Sequence, residues 1–204
     1  MLPTGAVAGA GWDSLAPNSR IGTGSPRRQA LLRHARPEVQ LLEVRGNVET
    51  RLRKLDAGEY DALILAVAGL ERLGLADRIT QPLTPPIMFP AVGQGALGLE
   101  CRADDEWLKK ILQRITDPAT RSAVTAERSL LAELRAGCHA PLGVYSTLAD
   151  GNQRLEAVVL SPDGTSRITA NATSPMTNAA ELGRIVAQEL RTLGADLLIA
   201  AAKT

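Results

Sequence analysis

The chain has 204 residues, 45% of them hydrophobic and 22% charged, a balance that suits one or two globular domains and excludes a disordered or collagen-like polypeptide. Lys and Arg number 23 against 22 Asp and Glu, a formal net charge of +1, so no overall field draws the chain to nucleic acid or a membrane, and any anion preference has to be local. Aromatic residues make up only 2%, which leaves an aliphatic core and argues against the base-stacking platforms of single-stranded nucleic-acid binders.

The opening MLPTGAVAGAGWDSLAPNSR has no basic stretch and no continuous apolar run ahead of a small-residue cleavage site. No later run approaches the ~20 apolar residues of a membrane span. The expected compartment is the cytoplasm. From Arg20 to about Gly74 short apolar runs alternate with helical stretches, the pattern of βα units on a parallel sheet. SRIGT reads as a strand, PRRQALLRHA as a helix, VQLLEV as a strand, VETRLRKLDAG as a helix ending at Gly58, YDALILAV as a buried strand and AGLERLG as a short helix. Three successive strand-to-helix junctions then share the carboxyl edge of one sheet, where open α/β folds bind ligands.

QPLTPPIMFP is a proline-rich connection, and VGQGALGLECR after it is a glycine-punctuated strand candidate. Two helices follow, DDEWLKKILQRI and DPATRSAVTAERSLLAELRAG, the second opened by Asp117 and Pro118 as cap and first residue and closed by Gly137. A boundary falls near Asp117, after which the period changes. PLGVYSTL, QRLEAVVLSP and TSRITANAT read as three antiparallel strands joined by DGN and PDG turns, and NAAELGRIVAQELRTLG as a closing amphipathic helix. The fold class is therefore α/β: a parallel-sheet βα unit followed by a small α+β unit with a three-stranded antiparallel sheet.

The junctions carry the chemistry. In GTGSPRRQ, Ser25 suits the N-cap and Pro26 the first helical position, which puts Arg27 and Arg28 in the first turn. Two guanidiniums there oppose the helix macrodipole by a few tenths to about 1 kcal/mol each. A bound anion reverses the sign, because free backbone N–H groups, the Thr23 and Ser25 hydroxyls and two forked donors converge on it. The alternative is a solvated first turn with both arginines extended to water. The second junction repeats the pattern: Arg45 ends the strand, Gly46 allows close approach, Asn47 caps and Arg51 lies one turn on. The third adds Arg72. Arginines at three parallel junctions facing one crevice suit a ligand with several carboxylates or phosphates, and the absence of a GxGxxG or GxxxxGK[ST] pattern makes a nucleotide the weaker fit.

Cys138, in LRAGCHAPLG, lies between a glycine and a histidine where a helical pattern stops. Two Cys and two His scattered along the chain cannot supply a four-ligand zinc cluster. Adjacent Cys138 and His139 are badly placed to form a Cys/His catalytic pair. An inert thiol or a covalent thioether anchor remain open on the residues alone. Cys101 reads as a core residue of the ALGLECR strand, and His34 as a surface residue near a helix C-terminus.

GTGSPRRQALL, EVRGNVETRLRKLDAGEYDALILAVAGLERLGL, PAVGQGALGLECR and AERSLLAELRAGCHAPLG, in this order and spacing, resemble the porphobilinogen deaminase (hydroxymethylbilane synthase) family over nearly the whole chain from Ser19. The resemblance implies that Cys138 carries a dipyrromethane cofactor through a thioether. It implies that Arg27, Arg28, Arg45, Arg51 and Arg72 hold the acetate and propionate groups of cofactor and growing pyrrole chain, with Thr23, Ser25, Asn47 and Gln94 lining the same crevice. The implied reaction joins four porphobilinogen molecules with loss of ammonia, each through an electrophilic azafulvene, and ends in hydrolytic release of hydroxymethylbilane. Porphobilinogen and the growing chain are thus the implied partners, without nucleic acid, membrane or metal, in a monomer.

The family has three domains, and its first, with the catalytic aspartate, has no counterpart before Met1. The expected layout is a second, anion-binding domain over 1–95, a strand and helix over 96–116 that in the family complete the first domain, and a C-terminal domain over 117–204. In this layout 96–116 leaves apolar surface and a strand edge uncovered. Glu49 and Glu71 are expected to be paired among the arginines, and the chain to be an N-terminally truncated form. The alternative is a non-catalytic polycarboxylate-binding module, with a crevice like half of a two-domain periplasmic binding protein.

Overall fold

The computed structural model describes residues 11–137 and 140–202. Its first unit follows the βα pattern: β1 (Arg20–Gly22), α1 (Pro26–Ala35), β2 (Gln40–Leu42), α2 (Val48–Asp56), β3 (Ala62–Leu63) and α3 (Val67–Arg72). The three strands are parallel in the order β2-β1-β3, with Ile21 opposite both Leu41 and Ala62. They are shorter than the apolar runs that encode them, and the flanking residues continue as loop. Arg20 staples β1 to the entry of β3, its guanidinium reaching the Asp61 carboxylate at 2.8 Å while Asp61 also accepts the Arg20 backbone N–H at 2.7 Å.

The second unit contains α5 (Pro118–Glu133), β4 (Leu142–Ala149), β5 (Asn152–Leu160), β6 (Arg167–Pro175), α6 (Ala179–Thr192) and α7 (Ala195–Ala201), after an isolated α4 (Glu106–Ile115). The antiparallel order is β4-β5-β6. Asp150 and Gly151, both at positive φ, make the two-residue β4–β5 turn that the DGN signal anticipates. Asp117 caps α5, accepting the Thr120 N–H at 2.7 Å, with Pro118 in the first turn. The helix stops at Glu133 rather than running to Gly137, and Arg135 takes the positive-φ position, at 47°. α7 is an element the sequence reading left unassigned; its Ala195 and Ile199 pack into the same core as α5 and α6.

The period of two along β5 divides its side chains between two cores. Leu155, Ala157 and Val159 face α5 and α6, whereas Val158 and Leu160 join Ile21, Leu31 and Phe89 in the core under α1. All five are fully buried, each worth roughly 1.5–3 kcal/mol relative to an exposed position for the larger ones. The two units are thereby packed against each other. α1 adds polar ties to the β5–β6 turn, where the Pro162 carbonyl accepts from the Arg33 guanidinium at 2.7 Å and the Gly164 carbonyl lies 2.9 Å from His34 Nδ1. His34 is on the surface, as its sequence position indicates.

Residues 91–102 form turns and irregular backbone, not the strand that VGQGALGLECR suggests. The physical reason is the lack of a ladder partner: Leu97 and Leu99 are 76% and 60% exposed, and an isolated strand has no hydrogen bonds to gain. Cys101 is correspondingly half-buried and free, not a core residue. α4 does form, capped by Asp105 through the Leu108 N–H at 2.9 Å, but none of its residues is buried and Trp107 is 73% exposed. No helix among the described residues is long and apolar enough to cross a membrane.

α5 and α6 cross in close contact at Gly183. A Cβ there overlaps the Ala126 carbonyl oxygen and comes within 2.7 Å of Ser129 Cβ and 2.8 Å of the Leu130 nitrogen. Gly183→Val is expected to lower the unfolding free energy by at least about 1–3 kcal/mol, the usual range for overpacking, as read by urea denaturation. Asp163 gives a pH-dependent tie in the β5–β6 turn. Donation from the Ser161 hydroxyl and from Thr165 holds its carboxyl down at about 2. Its contribution is present above the ordinary Asp value of about 3.9 and is lost as pH falls toward the folded value. The Thr165 amide should lose protection from hydrogen exchange between pH 4 and 2, and Asp163→Asn should show the lowered protection already at pH 6.

Candidate anion-binding site

The N-terminus of α1 is built as the sequence suggests. Ser25 is its N-cap, with Oγ accepting the Arg28 N–H at 3.4 Å, and Pro26 occupies the first turn. At α2 the cap is Asn47, whose Oδ1 accepts the Thr50 N–H at 2.8 Å. The turn before it depends on Gly46, at φ 114°, where an L side chain is strained. Both junctions open into one cleft of about 510 Å³, lined by Thr23, Gly24, Ser25, Arg28, Glu43, Val44, Arg45, Gly46 and Arg51.

Three arginines therefore share one opening at the carboxyl edge of the parallel sheet. Arg28 is anchored by donating to the Ile64 carbonyl at 2.8 Å, and Arg51 by donating to the Gly46 carbonyl at 2.8 Å. Burial lowers the pKa of Arg28, and the neighbouring Arg51 charge lowers it further. Two mutually repelling cations at a helix N-terminus gain from an anion placed between them. Arg45 reaches into solvent at 85% side-chain exposure and is paired with Glu43 at 2.7 Å. Thr23 is buried, its Oγ1 accepting the Ser25 N–H at 3.3 Å.

The single crevice expected for all the arginines is in fact divided. Arg27 turns inward: it is 7% exposed and donates to the Phe89 carbonyl, the Met88 sulfur at 3.9 Å and Gln94 Oε1 at 3.4 Å. Burial and the adjacent Arg28 charge bring it down to about 10. With Arg28 and Gln94 it borders a second, largely apolar cavity of about 390 Å³ whose walls include Ile64, Leu65, Leu70, Ile79, Leu83 and Met88. Arg72 lines neither space and donates to the Gly95 carbonyl at 2.6 Å. Asn47 is engaged as a cap and does not line the cleft. Arg28 alone among these arginines borders both spaces.

Glu49 and Glu71 are not paired among the arginines: the ion pairs of the described residues include neither, and Arg45 takes Glu43 instead. The reason is local, since Glu43 sits two residues before Arg45 at the strand end while Glu49 and Glu71 ride exposed helix faces. Cys138 and His139 lie outside the described residues. A buried carboxylate nearby, Glu127 on α5, which holds the 91–95 loop, escaped the sequence reading. It is 9% exposed, accepts the Gly93 N–H at 2.7 Å and the Ser146 hydroxyl at 2.9 Å, and burial pushes its pKa up against those two bonds. The signal was available, because position 127 falls on the apolar stripe shared by Ala126, Leu130 and Leu134.

A parallel βα sheet with arginines clustered in a cleft at its strand-to-helix junctions, joined to a small unit with an antiparallel sheet, defines a mixed α/β protein. Residues 6–110 match the family model described as "Porphobilinogen deaminase, dipyromethane cofactor binding domain", and residues 122–192 match its C-terminal domain. The chain belongs to the porphobilinogen deaminase family. It is 50% identical over 187 residues to the porphobilinogen deaminase of Chromobacterium violaceum, covering 92% of this chain and 60% of that protein. It is 46% identical over 206 residues to that of Acidothermus cellulolyticus, covering 99% of this chain and 58% of the relative. The chain thus spans about three fifths of the length of these curated relatives.

The geometry separates the two kinds of arginine. Arg27→Ala strands the buried Phe89 carbonyl and should cost about 1–3 kcal/mol of unfolding free energy. Arg45→Ala should leave stability within about 0.5 kcal/mol. Thermal or urea unfolding of the two variants side by side checks the contrast.

Proposed function

We propose that this chain is the cofactor-carrying part of a hydroxymethylbilane synthase, with a dipyrromethane joined to Cys138 by a thioether and held through its acetate and propionate groups. The observation that carries the reading is the cleft where Arg28, Arg45 and Arg51 surround the N-terminus of α1. Its donor set suits carboxylates: guanidinium forks, hydroxyls of Ser25 and Thr23, and helix N–H groups, with fixed partners holding Arg28 and Arg51 in place. When bound, the dipyrromethane supplies the free pyrrole α-carbon to which porphobilinogen units are added.

The chain's own residues bind and orient. Arg28 and Arg51 neutralise carboxylates at the helix end, and Arg45 exchanges Glu43 for a ligand carboxylate at the solvent side. Arg27, Gln94 and Arg72 fix the loop that walls the apolar cavity, and the apolar side chains of that cavity exclude water beside the pyrrole edge. Among the described residues the one carboxylate lining the cleft, Glu43, is paired with Arg45, so in this reading the cleft supplies positioning, and the carboxylate that stabilises developing positive charge comes from elsewhere in the enzyme. Uncovered Trp107 and Ile115 on α4 support the reading that residues 96–116 pack against a further domain, in a monomeric enzyme of cytoplasmic tetrapyrrole synthesis.

Intact mass spectrometry of the chain, expressed with porphobilinogen available, tests the anchor. A dipyrromethane adduct that disappears in Cys138→Ser is the expected result. Arg45→Ala should lower the modified fraction several-fold without loss of fold, in line with removing one charge-assisted contact. An unmodified thiol in the wild-type chain overturns covalent anchoring and leaves a non-covalent polycarboxylate-binding module.

A further inference from the structure

Three consecutive residues of the 91–95 loop each bond to a different element. The Gly93 N–H donates to Glu127 on α5, Gln94 Oε1 accepts from Arg27 on α1, and the Gly95 carbonyl accepts from Arg72 on α3. The loop is further fixed at Pro90, whose carbonyl accepts the Val144 N–H of β4 at 2.9 Å. Among the described residues of the second unit that hydrogen-bond the loop, Glu127 is the one charged side chain, and its other oxygen is occupied by Ser146 of β4.

We propose that Glu127 is a positioning residue for the wall of the apolar cavity that Arg28 shares with the anion cleft: it clamps the 91–95 loop to the α5–β4 face, and through Gln94 and Gly95 it sets where Arg27, which borders that cavity, and Arg72 sit. A carboxylate suits the place because two donors, an amide and a hydroxyl, approach it from opposite units and each needs its own acceptor oxygen. Glutamine offers one acceptor and turns an NH₂ group toward a donor. Alanine offers none and leaves the Gly93 amide unsatisfied. The cost of burying the carboxylate in this place is offset only if both bonds form together, which makes the clamp sensitive to the docking of the two units. α5 runs on from Glu127 toward the segment containing Cys138, so one helix ties the loop to the stretch that bears the proposed anchor.

The ligand arm of the test rests on the proposed function, whereas the exchange arm rests on geometry alone. Hydrogen exchange on the full chain compares wild type with Glu127→Ala. The Gly93 and Gln94 amides are expected to exchange about tenfold faster or more in the variant, as for loss of a charged buried hydrogen bond, while α5 and β4 amides keep their protection. Unchanged exchange at Gly93 overturns the proposal. If Glu127→Ala does not fold, Glu127→Gln stands in, with a smaller acceleration at the same amides expected and none overturning it. In the ligand arm, porphobilinogen affinity is measured by calorimetry for Glu127→Ala, Gln94→Ala and the double variant. Each single change should weaken binding, with the double no weaker than the worse single; full additivity overturns action through the loop, which a merely structural role would produce. Failure of the wild type to bind porphobilinogen counts against the proposed function, and the exchange result then decides the clamp by itself.

Discussion

β5 has no solvent side over its last half. Leu155, Ala157 and Val159 belong to one core and Val158 and Leu160 to another, so a single strand welds the βα unit to the α+β unit by burying both of its faces. Everything near the site inherits that constraint. Phe89, packed in the same core as Leu160, fixes the carbonyl that receives Arg27, and Pro90 pairs with Val144 on the neighbouring strand. The loop that follows is then delivered to Glu127 within hydrogen-bond distance. A one-residue slip of β5 would exchange its two faces and dissolve both cores at once.

On this frame the electrostatics of the cleft are deliberately unbalanced. Helix N-termini already present positive potential, and the chain adds Arg28, Arg45 and Arg51 to the same opening. Burial and the Arg51 charge lower the pKa of Arg28, and both side chains are held by carbonyls, not by acids. A site in which cations are fixed by neutral acceptors keeps its charge for a ligand. Arg45 is the exception, paired with Glu43 in solvent, where such pairs are weak.

Much of this was legible residue by residue. Ser25-Pro26 and Asn47 announce two helix starts, Asp117-Pro118 a third, and Asp150-Gly151 a tight hairpin, because caps and turns depend on one or two side chains with specific hydrogen-bonding or φ requirements. The arginines at the strand-to-helix junctions were equally visible. The sequence misled where an element depends on a distant partner. VGQGALGLECR has the composition of a strand but no ladder to join. Arg27 and Arg28 are neighbours with the same chemistry, yet one faces the Phe89 carbonyl and the other the cleft, because successive positions in a helix turn point about 100° apart.

The sequence by itself determined the order of the elements from β1 to α3 and from α4 to α6, the parallel and antiparallel character of the two sheets, the caps, and the placing of arginines at strand-to-helix junctions. Those features are local, set by periodicity, backbone preference and dipole. Only the tertiary structure decided which arginines share a cleft, which carboxylate pairs with Arg45, and that Glu127 reaches the Gly93 amide across the two units. Such contacts join residues far apart in the chain, and they exist only once both faces of β5 are buried and the intervening loops have a fixed place to go.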